Sequence, residues 1–149
     1  MSRARGFTLL ELLIVCAIIG ILGAVSAVTF FGSIRRAKVN EASTQLAGDL
    51  QRARSSAQRF NQSSSLGVSS NPATSYTLTT GTQTITRTLP TGTRIELPST
   101  STSLTLTYSA PFGETTATNA LLTVRSTGSE TQAVRILGVT GKVYLRETQ

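Results

Sequence analysis

The apolar positions of this 149-residue chain are concentrated near its beginning. Within residues 7–31 the only charged side chain is Glu11, and residues 12–34 form a run of 23 uncharged positions that are mostly Leu, Ile, Val and Ala. A helix needs about 20 such residues to cross the hydrocarbon core of a bilayer. A core helix of a soluble protein rarely lacks a polar face over this length. The pattern therefore predicts a membrane-inserting helix.

A second pattern of helical spacing follows directly. Apolar residues recur three or four positions apart at Val39, Ala42, Leu46, Leu50, Ala53, Ala57 and Phe60. This spacing predicts one apolar stripe along a helix, and polar residues such as Glu41, Asp49 and Arg52 fall outside that stripe. The first 60 residues contain no proline. We therefore predict a single helix over residues 7–60.

The composition changes after Asn61, where 34 of the remaining 88 residues are Ser or Thr. Short runs alternate between apolar and polar positions, as strands with one buried face do. They lie at residues 76–79, 84–89, 94–97, 104–108, 121–125, 133–136 and 142–145. Residues 98–103 and 111–119 are predicted loops. The alternation argues against a disordered Ser/Thr stalk and predicts an α+β fold, in which the long helix packs on an antiparallel β-sheet or a small β-sandwich.

The residue inventory excludes several classes of function. The chain has no His and one Cys, Cys16, so it offers no imidazole base, no intrachain disulfide and no Cys/His set for zinc. Carboxylates beyond the apolar run are scattered singly, and no phosphate-binding loop is present. We expect a protein that is not an enzyme and that uses no cofactor or metal.

Glu11 is unusual because it lies inside the apolar run. A carboxylate near the centre of a membrane helix costs roughly 2.5–3.5 kcal/mol on insertion scales, and less near the helix end. Such a residue is a candidate functional residue that meets a cation. The alternative is that Glu11 stays solvated at the membrane interface.

The run Arg5-Gly6-Phe7-Thr8-Leu9-Leu10-Glu11 closely resembles the processing signal of type IV pilins and type II secretion pseudopilins. The resemblance implies that a prepilin peptidase in the bacterial inner membrane cuts after Gly6 and methylates Phe7. It also implies that Glu11 neutralises the amine of a neighbouring subunit during assembly. Loss of the leader would lower the formal charge from +7 to +5.

This resemblance divides the chain into four segments. Residues 1–6 are the leader, 7–34 the transmembrane or filament-core helix, 35–61 the amphipathic half of the helix, and 62–149 the Thr-rich β head. The family places the head in the periplasm or outside the cell, first on the inner membrane and then in the pilus or pseudopilus.

Two further patterns narrow the resemblance. The helix sequence at residues 46–57 followed by Asn61, and the Thr140-Gly141-Lys142-Val143 turn, resemble the H-type minor pseudopilins and T-type minor pilins, the GspH/FimT group. Membership implies a minor subunit that assembles with other major and minor pilins or pseudopilins. Its place would be the tip or priming complex of a type IV pilus or a type II secretion pseudopilus.

Basic residues on the predicted strands suggest an alternative function. Six cations alternate mostly with apolar residues and are expected to point outward, namely Arg87, Arg94, Arg125, Arg135, Lys142 and Arg146. T-type minor pilins of naturally transformable bacteria bind DNA through a C-terminal Gly-Arg-x-Arg-like element. Here Gly141 and Lys142 begin the corresponding run, but Tyr144 replaces the second arginine.

The alternative hypothesis is therefore a DNA-binding minor pilin for natural transformation, with double-stranded DNA as its partner. Its candidate residues are Arg125, Arg135, Lys142, Tyr144 and Arg146. A third hypothesis is a secreted β-domain whose apolar run is a classical signal peptide cut near residues 26–27.

Overall fold

The α-helix α1 runs from Leu9 to Phe60 in the computed structural model of the chain. The structure describes residues 8–98, 100–115, 117 and 119–147, without the side chains of residues 25–28 and 147. The predicted end of the helix at Phe60 is confirmed. Its predicted start at Phe7 lies outside the described residues.

The chain separates into two compact units, Met1–Ile34 and Arg35–Gln149. In the first unit the helix exposes its large apolar side chains on all sides, as the 100° step between successive residues dictates when every position is apolar. This part of α1 is long and apolar enough to cross a membrane. The first unit therefore presents an apolar surface whose exposure to water is unfavourable.

Within its described residues, the second unit contains the rest of α1 and nine strands. These are β1 Ser64–Val68, β2 Ser75–Thr80, β3 Gln83–Thr88, β4 Thr93–Glu96, β5 Leu104–Ser109, β6 Glu114–Thr115, β7 Leu121–Ser126, β8 Thr131–Leu137 and β9 Lys142–Glu147. They form a five-stranded sheet of order β3-β2-β1-β5-β6 and a four-stranded sheet of order β4-β7-β8-β9. Every strand pair is antiparallel.

All seven predicted strands are confirmed, and two more are present. β1 escaped prediction because it offers only Leu66 and Val68 as alternating apolar residues among two Ser and one Gly. It nevertheless occupies the centre of the five-stranded sheet, between β2 and β5. The two-residue strand β6 lies inside the segment predicted as a loop at 111–119.

The core lies between the second half of α1 and the inner faces of both sheets. The helix contributes Val39, Ala42, Leu46, Leu50, Ala53 and Ala57, all buried as the stripe predicted. Phe60 departs from the prediction and is 62% exposed at the last turn. The strands contribute Leu66, Tyr76, Ile95, Leu106, Tyr108, Leu122, Val124, Val134 and Ile136.

Threonine occupies the opposite face of the five-stranded sheet. Residues directly opposite in an antiparallel pair share a face, and the register pairs Thr77 with Thr86 and Thr79 with Thr84. The Oγ1 atoms of Thr79 and Thr84 lie 3.0 Å apart. β-branched side chains favour extended backbone, and the Thr77 hydroxyl donates to the Gly67 carbonyl oxygen at 3.2 Å. These threonines of β2 and β3 therefore lie on the outer face of the sheet.

Side-chain hydrogen bonds join α1 to loops of the second unit. Lys38 Nζ donates to the Thr91 carbonyl oxygen at 3.1 Å, and Gln58 Nε2 donates to the Phe112 carbonyl oxygen at 2.9 Å. These bonds lie near opposite ends of the packed half of the helix, so they limit both sliding and rotation of α1 against the strands.

The substitution Leu50→Ala tests how strongly the stability of the core depends on this face of α1. The Leu50 side chain is fully buried, so Leu50→Ala removes apolar contacts and leaves a cavity. We expect a loss of about 2–5 kcal/mol in the free energy of unfolding, measured by urea denaturation of the detergent-solubilised protein. Ile85→Ala on the exposed strand β3 is the control, with a loss of less than about 1 kcal/mol. Equal losses in the two variants would contradict the described packing.

Candidate assembly motif and basic sheet face

Glu11 belongs to the first turn of α1, where it forms a capping box with Thr8. Thr8 Oγ1 accepts a hydrogen bond from the Glu11 N–H at 3.2 Å. Glu11 Oε2 in turn accepts bonds from the Thr8 N–H and hydroxyl, both at 3.3 Å. The pair satisfies amides that the start of a helix leaves without intrahelical partners. It also holds the carboxylate at the positive end of the helix dipole.

The surroundings of Glu11 are apolar. Leu9, Leu10, Leu12 and Leu13 are all exposed around it, and no described Lys or Arg forms an ion pair with its carboxylate. The predicted processing residues Gly6 and Phe7 lie outside the described residues. Cys16 is exposed within the same apolar stretch. The carboxylate is thus held in place by Thr8 while its charge has no cation in the described part of the chain.

The five residues predicted to bind DNA lie on one face of the four-stranded sheet. The register places Arg135 opposite Tyr144, and Arg135 also lies opposite Leu121. Lys142 and Arg146 share the face of Tyr144, since residues two apart on a strand point the same way. Arg125 joins the set from β7, where it lies opposite Thr131. The structure therefore brings together a surface that the sequence could only suggest.

Glu96 divides this basic face into paired and unpaired cations. Its carboxylate contacts Arg94 Nε at 2.9 Å and Arg125 Nε at 3.2 Å. Arg135, Lys142 and Arg146 form no ion pair with any carboxylate whose side chain the structure describes. Lys142 Nζ instead lies 5.0 Å from the centre of the Tyr144 ring, within the range of a cation–π contact. The face accordingly presents three uncompensated cations next to one aromatic ring.

Arg87 corrects the prediction that all the strand arginines point outward. Its register partner is the buried Tyr76, so its side chain is on the inner face. Arg87 Nε lies 3.6 Å from Asp49 Oδ2. The attraction of this carboxylate explains the reversal, because Asp49 is only 2% exposed and needs compensating charge.

Asp49 is a buried polar residue that the stripe analysis missed. Its Oδ2 accepts a hydrogen bond from the Tyr76 hydroxyl at 2.7 Å, and its Oδ1 accepts one from Arg52 Nη1 at 3.1 Å. Burial, together with the Asp49 carboxylate, raises the pKa of Tyr76 above its ordinary value. The only sequence signal was its position three residues after Leu46, which places both side chains on one side of the helix.

A second carboxylate joins α1 to the turn between β7 and β8. Glu130 accepts a hydrogen bond from the Ser126 hydroxyl at 2.8 Å and pairs with Arg35 Nε at 3.3 Å. These contacts, the Ser126 bond first, lower the pKa of Glu130 below its usual value. Arg35 immediately follows the apolar run, so this contact anchors the first turn of the second unit.

Comparison with known proteins agrees with both the motif and the fold. Residues 1–27 match the family described as "Prokaryotic N-terminal methylation motif". The crystal structure of the type IV minor pilin FimU of Pseudomonas aeruginosa (strain PAO1) superposes with a TM-score of 0.56 at 17% identity. That match covers 72% of this chain and 91% of FimU. At this identity the likeness shows the fold alone. The N-terminal motif is the separate indication of a type IV pilin-like protein.

The chain is type IV pilin-like. It is 54% identical over 44 residues to the type IV major pilin protein PilA of Myxococcus xanthus (strain DK1622). It is 52% identical over 44 residues to a fimbrial protein of Moraxella nonliquefaciens. Each match covers 30% of this chain but only 20% and 29% of the respective relative. In this pilin-like chain the likeness to those two proteins is thus confined to a short segment.

The contacts that lower the pKa of Glu130 predict a pH-dependent contribution to stability. A carboxyl whose pKa is lowered by folding stabilises the folded state above its unfolded pKa, and this contribution is lost as the pH falls through the folded value. We expect the contribution to fade below the ordinary value of 4.5. Urea denaturation between about pH 7 and about pH 3 will show a smaller acid-induced loss for Glu130→Gln than for the wild type. Glu114→Gln, at an exposed position, is the control, and an acid response of Glu130→Gln identical to that of the wild type would contradict the role.

Proposed function

We propose that this pilin-like chain is a minor pilin or pseudopilin. It would join the tip or priming complex of a type IV pilus or a type II secretion pseudopilus. The observation that carries the proposal is the exposed apolar surface of α1 in the unit Met1–Ile34. The described side chains of this surface are exposed, and such a surface requires a bilayer or the helices of other subunits. The fold similarity to a minor pilin supports the same reading.

The mechanism that we propose is assembly rather than catalysis. A prepilin peptidase removes residues 1–6 at the bacterial inner membrane and methylates Phe7, while α1 holds the protein as a single-pass subunit with its head in the periplasm. Glu11 then pairs with the amine of a neighbouring subunit. A buried carboxylate without a cation is costly, and pairing removes much of that cost. The capping box with Thr8 keeps the carboxylate near the helix start, where such a neighbour would meet it.

We assign the chain to the GspH/FimT group within this family. The apolar members of the helix pattern, Leu46, Leu50, Ala53 and Ala57, form the buried face of α1. Gly141, in the turn that the pattern shares, has a φ of +61°, and an added Cβ would lie 2.5 Å from a ring carbon of Tyr108. The pattern therefore coincides with positions at which packing restricts the residue type.

Leader processing and incorporation into filaments test the proposal together. In cells with an active prepilin peptidase, mass spectrometry of the membrane-extracted protein is expected to show Phe7 as a methylated N-terminus. Gly6→Leu should retain the leader. Glu11→Val should be processed normally but lost from sheared filaments by at least about tenfold, since a missing buried ion-pair partner costs several kcal/mol.

Cys16→Ala is the matched control, because it changes an exposed side chain of the same apolar stretch and should be processed and incorporated like the wild type. An intact leader in such cells would overturn the proposal. A cut near residues 26–27 would instead favour a secreted β-domain with a classical signal peptide.

A second candidate function is DNA binding by the same subunit during natural transformation. The observation in its favour is that Arg135, Lys142 and Arg146 share one exposed face with Tyr144. Phosphate oxygens attract such cations without base recognition, and an aromatic ring on the same surface can stack on an exposed base. Arg125 contributes less, because Glu96 already pairs with it.

Titration of duplex DNA against the full-length protein in detergent micelles tests this function. Replacing Arg135, Lys142 and Arg146 together by Ala should weaken binding and lower the slope of log K against log salt by about 3, roughly one unit per lost phosphate contact. Arg125→Ala is the control and should change the slope by less than about 1. Absence of binding by the wild type at low salt would eliminate this candidate.

A further inference from the structure

The two sheets of the head end in four edge strands, β3 and β6 in one sheet and β4 and β9 in the other. An edge strand leaves a row of backbone N–H and C=O groups without partners, so proteins usually shorten, cover or charge such strands. The four edges of this head differ sharply in how far they are protected.

Two of the edges are covered or short, and a third carries an inward-facing charge. β4 forms a bridge with Ala73, whose N–H donates to the Ile95 carbonyl at 2.9 Å and whose carbonyl accepts from the Ile95 N–H at 2.7 Å. β6 has only two residues, and its Thr115 N–H donates to the Val139 carbonyl. β3 carries Arg87 on its inner face, and an inward charge at an edge discourages strand addition.

β9 is neither short nor covered within the described residues, and its protection is limited to charge, with Lys142 and Arg146 on the outer face. It is six residues long and, within the described residues, pairs only with β8. Large apolar side chains are exposed on both of its faces, with Tyr144 42% exposed on the outer face and Leu145 44% exposed on the inner face. Leu145 lies opposite the fully buried Val134, so the apolar core reaches the solvent at this edge. A strand added beside β9 would cover both residues.

The charges on β9 specify what kind of strand fits. Lys142 and Arg146 flank Tyr144 on the outer face. If two copies of β9 paired antiparallel with Tyr144 opposite Tyr144, Lys142 of each copy would lie opposite Arg146 of the other, and like charges directly opposite are destabilising. In that register a second copy of this chain is a poor occupant. A strand with carboxylates at these two positions would form attractive cross-strand pairs.

We propose that β9 is a strand-addition site for an extended segment of another pilin subunit. That segment carries Asp or Glu opposite Lys142 and Arg146, with an apolar residue between them opposite Tyr144. On its other face it carries β-branched residues opposite Val143 and Leu145. Main-chain hydrogen bonds supply the affinity and the alternate side chains supply the selectivity, as in other cases of strand addition. The identity of the partner as a pilin rests on the proposed function, whereas the recognition chemistry does not.

A tethered strand tests the site in the full-length protein. The probe is a Glu-Val-Tyr-Val-Glu segment appended after Gln149 through a Gly/Ser linker, which raises its effective concentration to the millimolar range. Hydrogen–deuterium exchange in detergent micelles should show slower exchange of the open-edge amides of β9 and unchanged exchange of β3. A matched Lys-Val-Tyr-Val-Lys segment should give about tenfold less closure of the edge, because two attractive pairs become repulsive.

Two variants complete the test. Replacing both Lys142 and Arg146 by Glu should reverse the preference in favour of the Lys-flanked segment, and Leu145→Lys should reduce closure by either segment. Equal protection by the two segments, or no protection by the Glu-flanked one, would overturn the proposal.

DNA is the competing occupant of this edge. Protection of β9 by a duplex oligonucleotide that is insensitive to Leu145→Lys, together with no protection by the Glu-flanked segment, would assign the surface to nucleic acid and overturn the proposal. A protein that is processed and incorporated into filaments but shows no edge closure would refute strand addition alone and leave the proposed function intact.

Discussion

The structure depends on one helix, α1, whose two halves need different surroundings for their apolar residues. In the first unit the described side chains of α1 are mostly apolar on every side, apart from Glu11, and are exposed, whereas in the second unit one face of α1 is apolar and is buried by two sheets. The hydrophobic effect drives both arrangements but gives them different partners. The head can bury its core within one chain, while the apolar half of α1 must find lipid or other helices. The two halves of α1 therefore differ in the surroundings that their apolar residues require.

Much of the fold was predictable because its signals are local. The spacing from Val39 to Ala57 identifies the buried helix face, and alternation of Leu, Ile and Val with Thr identifies seven strands. β1 was missed because it offers few alternating apolar residues, and its central position depends on pairing with β5, which is distant in sequence, as well as with the adjacent β2. Gly67 shows this dependence, since an added Cβ there would lie 2.9 Å from Thr77 Oγ1. A glycine required by packing against a neighbouring strand looks, in the sequence, like an ordinary turn residue.

The candidate site was predictable in its composition but not in its electrostatics. Alternation along each strand correctly suggested that Arg135 and Arg146 face outward. The sequence could not show that β4 pairs with β7, which brings Glu96 to Arg125 and leaves the cations of β8 and β9 without an ion pair to any carboxylate whose side chain is described. The Thr8–Glu11 pair, in contrast, follows from a local spacing of three residues and a helix start. Its assembly role concerns neighbours that lie beyond a single chain.

The contacts of Asp49 impose a constraint on how this head can evolve. The carboxylate on α1 is buried, and its partners Tyr76 and Arg87 lie on two different strands. Losing a partner would leave a buried charge less compensated, whereas losing the carboxylate alone would leave a buried hydroxyl without its acceptor. Substitutions at these three positions are therefore expected to be correlated among related sequences. The helix and the β2–β3 hairpin would then be coupled in evolution at these positions, although they are far apart in the sequence.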